Sequence, residues 1–213
     1  MLAVVTTDAA VTKEALQQVV SHAVERTYNR ITVDGDTSTN DMVVVMANGM
    51  ADHEPLDVGD PELAVFEEAL NYVNTYLAKE IARDGEGATK LIEVRVEGAA
   101  TEAEAAQMAM SIAGSSLVKT AVYGNDANWG RILAAAGYSG VDFDPSRVDI
   151  LIGDVVVARQ GAGVEFDETL AKDALKQPEV RLTVALHAGE AEATVWTCDL
   201  TEDYVKINAS YRT

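Results

Sequence analysis

Apolar residues recur along the first half of this chain at helical spacing in two segments. After Thr12, which can cap a helix, they return every three or four positions up to residue 28, and the same spacing follows Pro61. Each segment therefore predicts an amphipathic helix with one buried face. The residues predicted to face the core are Leu16, Val19, Val20, Ala23, Val24 and Tyr28 in the first helix, and Leu63, Phe66, Leu70, Val73, Leu77 and Ile81 in the second.

Continuous or alternating apolar runs at residues 1–6, 43–46 and 91–98 predict strands. The first run starts at Met1, so we expect a buried strand at the very first residue. Chain starts usually carry a few loosely held residues, and a strand there is therefore typical of a chain that has been cut. An ordinary initiator methionine before a short strand is the simpler alternative.

Thr101 and Glu104 predict a capping box at the start of a third helix. Further predictions are a strand at "KTAVYG", a short helix at "NWGRILAAAG", a hairpin turning at Gly153-Asp154, a short helix near residues 168–175, and two strands around residues 188–190. This mixture predicts an α/β fold with mixed α+β layers. We place a domain boundary near residue 95, which gives segments 1–95 and 96–213.

Acidic residues outnumber basic ones by 35 to 16, for a formal net charge of −19. Such a polyanion repels phosphate backbones and anionic lipids, which disfavours nucleic-acid and membrane-surface roles. No apolar run approaches the ~18 residues of a membrane span. The single cysteine, Cys198, fits a reducing cytoplasm. We expect it to be a half-buried strand residue, because no cationic residue stands beside it in the sequence to activate a thiolate.

Several polar segments do not fit the chemistry that they suggest. The acidic stretch at residues 34–41 has Thr39 and Val45 where a calcium loop needs glycine and glutamate, so we predict a turn. The scattered histidines predict no metal site. The segment "YGNDANWGRI", with Trp129 and Arg131, favours a helix-start turn over a ligand pocket.

Two segments keep a choice of interpretations open. Glu86 stands between two glycines in "RDGEGATK", where a ligand could approach closely, but a solvated side chain in a helix-ending turn is the commoner arrangement. In the tail "DYVKINASYRT", apolar Val205 and Ile207 alternate with polar residues, which suggests an extended chain. Its polar end could line a pocket or could simply fray.

Seven segments resemble, in family order, the β subunit of the ornithine acetyltransferase (bifunctional glutamate N-acetyltransferase) family. They are "MLAVVTTDA", "STND", "RDGEGATK", "SSLVK", "GNDANWGRILAA", "LHAGEAEATVWTCDLTEDYV" and the final "NASYRT". Each segment is weak evidence alone, but the ordered set covers almost the whole chain and is specific.

In that family a precursor cuts itself, and the new N-terminal threonine of the β chain is the nucleophile. The resemblance implies a cleavage site before Met1 or one residue upstream, and therefore no catalytic residue within this sequence. A free α-amine, with a pKa of about 7.7–8.0, can accept the proton of the threonine hydroxyl. The implied reaction moves acetyl from N-acetylornithine to glutamate through an acetyl-threonine in arginine biosynthesis. It needs no cofactor, and use of acetyl-CoA as a further donor stays open.

Carried over residue by residue, the resemblance implies that Glu86, Asn208 and Thr213 bind substrate. It also implies a main layered domain shared with an α chain, a smaller C-terminal α+β domain, and an (αβ)2 or larger assembly in the cytoplasm. Two alternatives remain. One is a related N-terminal-nucleophile acyltransferase or amidase of secondary metabolism, and the other is a non-enzymatic acidic partner chain.

Overall fold

The computed structural model describes residues 1–210, and it confirms a mixed α/β fold. Its strands are β1 (Leu2–Thr7), β2 (Met42–Ala47), β3 (Leu91–Ala99), β4 (Asp149–Ile152), β5 (Val155–Arg159), β6 (Ala162–Gly163), β7 (Glu179–Ala185) and β8 (Ala191–Cys198). Its helices are α1 (Lys13–Arg26), α2 (Pro61–Arg83), α3 (Glu102–Ala113), α4 (Ser116–Tyr123), α5 (Trp129–Gly137), α6 (Glu168–Leu175) and α7 (Glu202–Ser210). Two short 3-10 helices lie at Tyr28–Arg30 and Pro145–Arg147.

The chain divides into two compact units. Met1–Asn29 and Thr37–Ile81 form the first unit, and Arg30–Asp36 joins the residues from Ala82 onward in the second. The boundary predicted near residue 95 falls inside β3, which is continuous from Leu91 to Ala99. The two compact units are therefore divided at different places in the chain from the predicted boundary. The assignment of domains at residue 95 stays a prediction.

The first unit pairs β1 and β2 in parallel, and α1 and α2 pack against one face of this small sheet. Residues at alternate positions face away from the helices, and Leu2 and Val4 are 73% and 57% exposed. The expectation of a buried first strand is therefore wrong for Leu2 and Val4, although Ala3 between them is buried. We call the outward side the β1–β2 apolar face; its exposed members include Leu2, Val4, Met42 and Met46.

The buried face of α2 shifts along the helix. Leu63 and Leu70 are buried as predicted, but the buried line then continues through Asn74 and Ala78, and Val73 is exposed. Asn74 turns inward because its Oδ1 accepts a hydrogen bond of 3.0 Å from the buried hydroxyl of Tyr28. A polar partner for that hydroxyl therefore sets which side of the helix faces inward.

The second unit is built on a six-stranded sheet with the order β6-β5-β4-β7-β3-β8. Next to the edge strand β8 lies β3, which runs parallel to β7 and antiparallel to β8. The two strands predicted around residues 188–190 are thus present, but they pair with β3 and not with each other. The predicted hairpin is confirmed between β4 and β5, where Gly153 has a φ of +57°. The buried side chains of α3, α4 and α5 join the same core as this sheet.

One predicted strand is a helix. The segment "KTAVYG" lies in α4, whose first turn is capped by the hydroxyl of Ser115 accepting from the amide of Val118. Val118 and Val122 are buried one turn apart, so helical spacing outweighs the strand preference of the β-branched residues. The helices predicted at Thr101, at "NWGRILAAAG" and at residues 168–175 are confirmed.

Candidate functional site

Glu86 occupies a tight turn just beyond the end of α2. The amide of Ala88 donates to the carbonyl of Gly85 over 2.9 Å, which places Glu86 and Gly87 at the two central positions of the turn. Gly87 has a φ of +67°, a conformation that glycine adopts without the cost of a Cβ. The turn presents the Glu86 side chain to solvent, where a ligand can reach its carboxylate.

Asn208 lies directly against this carboxylate. Its Nδ2 donates to Glu86 Oε2 over 2.7 Å and to the carbonyl of Tyr204 over 3.1 Å. The expectation of an extended tail is wrong, because α7 runs through this segment from Glu202 to Ser210. The structure therefore brings together two of the three residues that the family resemblance implied. Thr213 lies outside the described residues.

Gly87 permits the close approach between the turn and α7. A Cβ added at this position would lie 2.5 Å from the amide nitrogen of Tyr204 and 2.8 Å from the carbonyl carbon of Asp203. Both atoms belong to the backbone of the first turn of α7, so they cannot move aside independently. The glycine thus brings the turn that carries Glu86 within reach of the helix that carries Asn208.

Asp199 holds the other end of the turn from the connection between β8 and α7. It is 2% exposed, and its Oδ1 accepts from the amides of Thr89 and Lys90 at 2.8 and 2.9 Å. Its Oδ2 accepts from the Thr89 hydroxyl at 2.5 Å. These bonds satisfy a buried carboxylate that would otherwise be costly. Sequence reasoning missed Asp199, because its partners lie about a hundred residues earlier in the chain.

Tyr204 closes one side of the site by a hydrogen bond from its hydroxyl to Asp34 Oδ2 over 3.0 Å. Loss of solvent and this carboxylate raise the pKa of Tyr204 to about 12. The phenol therefore stays protonated near neutral pH and acts there as a hydrogen-bond donor. Asp34 also accepts from the amide of Asp36, which confirms the turn predicted in this acidic stretch.

Two lysines lie near the site, but their ammonium groups donate hydrogen bonds to backbone carbonyls and polar side chains of this chain. Lys90 Nζ donates to the carbonyl of Val122 and to Asn125 Oδ1, each over 2.7 Å, and partial burial lowers its pKa. Lys119 is buried, donates to the carbonyl of Val33 and to the hydroxyl of Thr197, and has its pKa lowered by burial. Both ammonium groups thus serve as structural donors in this chain.

Cys198 differs from the prediction in its surroundings. It is buried rather than half-buried, and it does have a cationic neighbour, because Lys119 Nζ lies 4.0 Å from its Sγ. Burial nevertheless outweighs this lysine and raises the pKa of the thiol. The cysteine is therefore held as a thiol, which is a poor nucleophile.

The remaining candidates have structural roles. Asn128 Oδ1 accepts from the amide of Arg131 over 3.1 Å and caps α5, which confirms the helix-start turn. Trp129 packs against Gly163, where an added Cβ would lie 2.8 Å from the indole.

Within residues 1–210, no group of three or more His, Cys, Asp or Glu side chains converges on a point where a metal could bind. No helix in this part of the chain is long and apolar enough to cross a membrane.

The paired Glu86 and Asn208 offer polar groups that can bind a ligand, but neither side chain is a nucleophile. A carboxylate binds an ammonium by charge-assisted hydrogen bonds. Asn208 uses both Nδ2 hydrogens on Glu86 and Tyr204, which leaves Glu86 Oε1 and further lone pairs for a ligand. The arrangement therefore suits an amine-bearing small molecule.

We expect Gly87→Ala to disrupt the site much more than Gly35→Ala. Both glycines have positive φ, and the strain of a Cβ in that conformation is about 1–2 kcal/mol in either case. A Cβ at Gly35 meets nothing within 4 Å, whereas one at Gly87 strikes the backbone of α7. Thermal unfolding should therefore show a larger drop in melting temperature for Gly87→Ala. Equal drops would contradict the close packing described here.

Known proteins are similar to this chain over the whole of its sequence. The ArgJ family matches residues 1–213. The chain is 59% identical to the arginine biosynthesis bifunctional protein ArgJ of Symbiobacterium thermophilum and 54% identical to that of Oceanobacillus iheyensis. Both matches cover all of this chain but only 53% and 52% of the relative, so the chain spans about half the length of these proteins.

A solved structure gives the same result for the fold. The crystal structure of the arginine biosynthesis bifunctional protein ArgJ from Bacillus halodurans is 53% identical and superposes with a TM-score of 0.96. The match covers 99% of this chain and 100% of that one. The fold and the sequence agree on one assignment, and this chain belongs to the ArgJ family.

Proposed function

We propose that this chain is the β half of a glutamate N-acetyltransferase, which moves acetyl from N-acetylornithine to glutamate in arginine biosynthesis. Membership of the ArgJ family supports an enzyme of this pathway, since the relatives are named as bifunctional proteins of arginine biosynthesis. The single observation that carries the site assignment is the 2.7 Å contact between Glu86 and Asn208. It joins residues 122 positions apart that the family resemblance assigns to one substrate.

The proposed nucleophile is a threonine outside this sequence, which the family resemblance places immediately before Met1. Its hydroxyl attacks the acetyl carbonyl of N-acetylornithine while the free α-amine accepts the proton. The ornithine amine then leaves with a proton, and the acetyl group stays on the threonine as an ester. The amine of glutamate attacks this ester, which gives N-acetylglutamate and restores the hydroxyl. No group of this chain has to carry the acetyl.

The proposed role of Glu86 is to bind the ammonium group of the amino-acid substrate. Its carboxylate is exposed and is oriented by Asn208 without being fully occupied. Asn208 could bind a substrate carboxylate directly only by giving up one of its two present hydrogen bonds. The geometry therefore favours Asn208 as the group that orients Glu86. Thr213 remains a proposed substrate contact on family resemblance alone.

The proposed partner is the α chain of the same precursor. The β1–β2 apolar face supports this assignment, because soluble monomers rarely expose a contiguous apolar sheet face. An interface formed by two halves of one folded precursor should bury well above ~2,000 Å². An (αβ)2 or larger assembly in the cytoplasm is proposed on resemblance only.

Co-expression of this chain with the α half tests the proposal. We expect the chain alone to aggregate and the pair to purify as one complex that transfers acetyl from N-acetylornithine to glutamate, measured by mass spectrometry of the products. Replacing the expected threonine by alanine should abolish transfer. A stable complex that hydrolyses amides but transfers nothing would favour the amidase alternative, and a soluble monomer would favour a non-enzymatic partner chain.

A further inference from the structure

The connection between β8 and α7 contacts both elements that build the substrate site. Asp199, at its start, holds Thr89 and Lys90 by three hydrogen bonds, while α7, which carries Asn208, follows at its end. The two site residues are 122 positions apart in sequence, so their separation depends on the hydrogen bonds that this connection makes to the turn of Glu86.

Thr201 lies at the end of the connection and uses its hydroxyl in two directions. Its Oγ1 donates to the carbonyl of Gly87 over 2.7 Å and accepts from the amide of Tyr204 over 3.2 Å. The first bond holds the turn at the residue next to Glu86, and the second caps the helix that carries Asn208. Thr201 is 5% exposed, so water cannot easily replace either partner.

We propose that Thr201 is a positioning residue for the amino-acid substrates, because its hydroxyl ties the turn of Glu86 to the first turn of α7. A hydroxyl has one hydrogen and two lone pairs, which are enough for this donor and acceptor pair. The inference rests on the proposed function, since it assumes that Glu86 binds the substrate ammonium and that Asn208 orients its carboxylate. Thr201 touches no substrate in this account and acts through Glu86.

Three substitutions at Thr201 distinguish the effects of its two hydrogen bonds. Thr201→Val has a similar shape but leaves the Gly87 carbonyl and the Tyr204 amide without their partner. Thr201→Ser keeps the hydroxyl and should restore both bonds. Thr201→Asp retains a strong helix cap but removes the donor to Gly87. It therefore tests the hydrogen bond to the Gly87 carbonyl in a chain that still forms α7.

Thr101→Val is a matched control in the same unit. Thr101 caps α3 by accepting from the amide of Glu104 over 3.2 Å, so its loss also weakens a helix start. It has no contact with the turn of Glu86. A fall in melting temperature shared by Thr101→Val and Thr201→Val therefore reports the loss of a helix cap. A change in KM found only for the Thr201 variants reports that Glu86 is no longer positioned for substrate.

The test uses the two-chain enzyme and steady-state kinetics for both amino-acid substrates. We expect Thr201→Val and Thr201→Asp to raise KM about tenfold with a smaller change in kcat, Thr201→Ser to stay near wild type, and Thr101→Val to leave KM unchanged. Combining Thr201→Val with Glu86→Gln should cost less than the product of the single effects, because both act through one carboxylate.

Two results would overturn the inference. One is an unchanged KM in both Thr201→Val and Thr201→Asp, and the other is full multiplicativity with Glu86→Gln. If Glu86→Gln itself leaves KM unchanged, the substrate site of the proposed function is wrong. That outcome is separate from failure of the proposed role of Thr201, which requires Glu86→Gln to raise KM while Thr201→Val and Thr201→Asp both leave it unchanged.

Discussion

Replacing Glu86 by glutamine should lower kcat/KM for the amino-acid substrates roughly ten- to a hundredfold. The amide keeps the shape of the side chain, and its oxygen can still accept from Asn208, so the site geometry is retained. The variant should lose the proposed charge-assisted hydrogen bond to the substrate ammonium, and such a bond is worth about 1.5–3 kcal/mol. The melting temperature should barely change, because the side chain is exposed and carries little packing.

Asp84→Asn is the matched control for this measurement. It removes the same charge two residues away, at an exposed position beyond α2. A comparable loss in Asp84→Asn would show that only the general negative field of this region matters. Wild-type kinetics in Glu86→Gln would return Glu86 to the role of a solvated residue in a turn.

Truncation after Ile207 should raise KM for both amino acids while self-cleavage and folding persist. It removes Asn208 and with it the hydrogen bond that orients Glu86. Folding should survive, because the first turn of α7, with its cap from Thr201 and the hydrogen bond from Tyr204 to Asp34, is left in place. Kinetics of the purified two-chain enzyme, with a gel that checks cleavage, measure both parts of the prediction.

A second truncation, after Ser210, separates the contributions of the tail. It keeps α7 and Asn208 but removes Thr213, so a raised KM in this shorter deletion would assign substrate binding to the last three residues. If both truncated enzymes are cleaved and keep the wild-type KM, the tail takes no part in the site. If cleavage fails in either, the tail is needed for folding and the substrate role is unsupported.

The fold was predictable wherever a local signal decided the structure. Thr101 with Glu104, Pro61 at the start of α2, and Gly153 in the hairpin each fix an element through bonds or backbone angles within a few residues. The prediction failed at "KTAVYG" because β-branched residues also fit a helix with a buried face. It failed at β1 because one alternating strand can leave half of its apolar residues exposed.

The site was predictable only in part, for a physical reason. Glu86 and Asn208 were found through resemblance to a family, and nothing in their local sequence shows that they touch. Asp199 and Thr201 were missed because each acts on the turn at residues 86–90 from more than a hundred residues away. One signal was available: Thr201 is followed by Glu202 and Asp203, which is typical of a helix start, and it argues against an extended tail.

The position of β3 in its sheet has a consequence for biosynthesis. Leu91 pairs with Glu179 on one side and with Cys198 on the other, so both neighbours of this apolar strand are made long after it. At ribosomal speeds of about 5–20 residues per second, β3 waits roughly 5–20 s for its last partner. Asp199 and Thr201 emerge after β8. The nascent chain therefore exposes an unpaired apolar strand that a chaperone could bind, and the turn that carries Glu86 gains its contacts with Asp199, Thr201 and Asn208 only after β8 has been made.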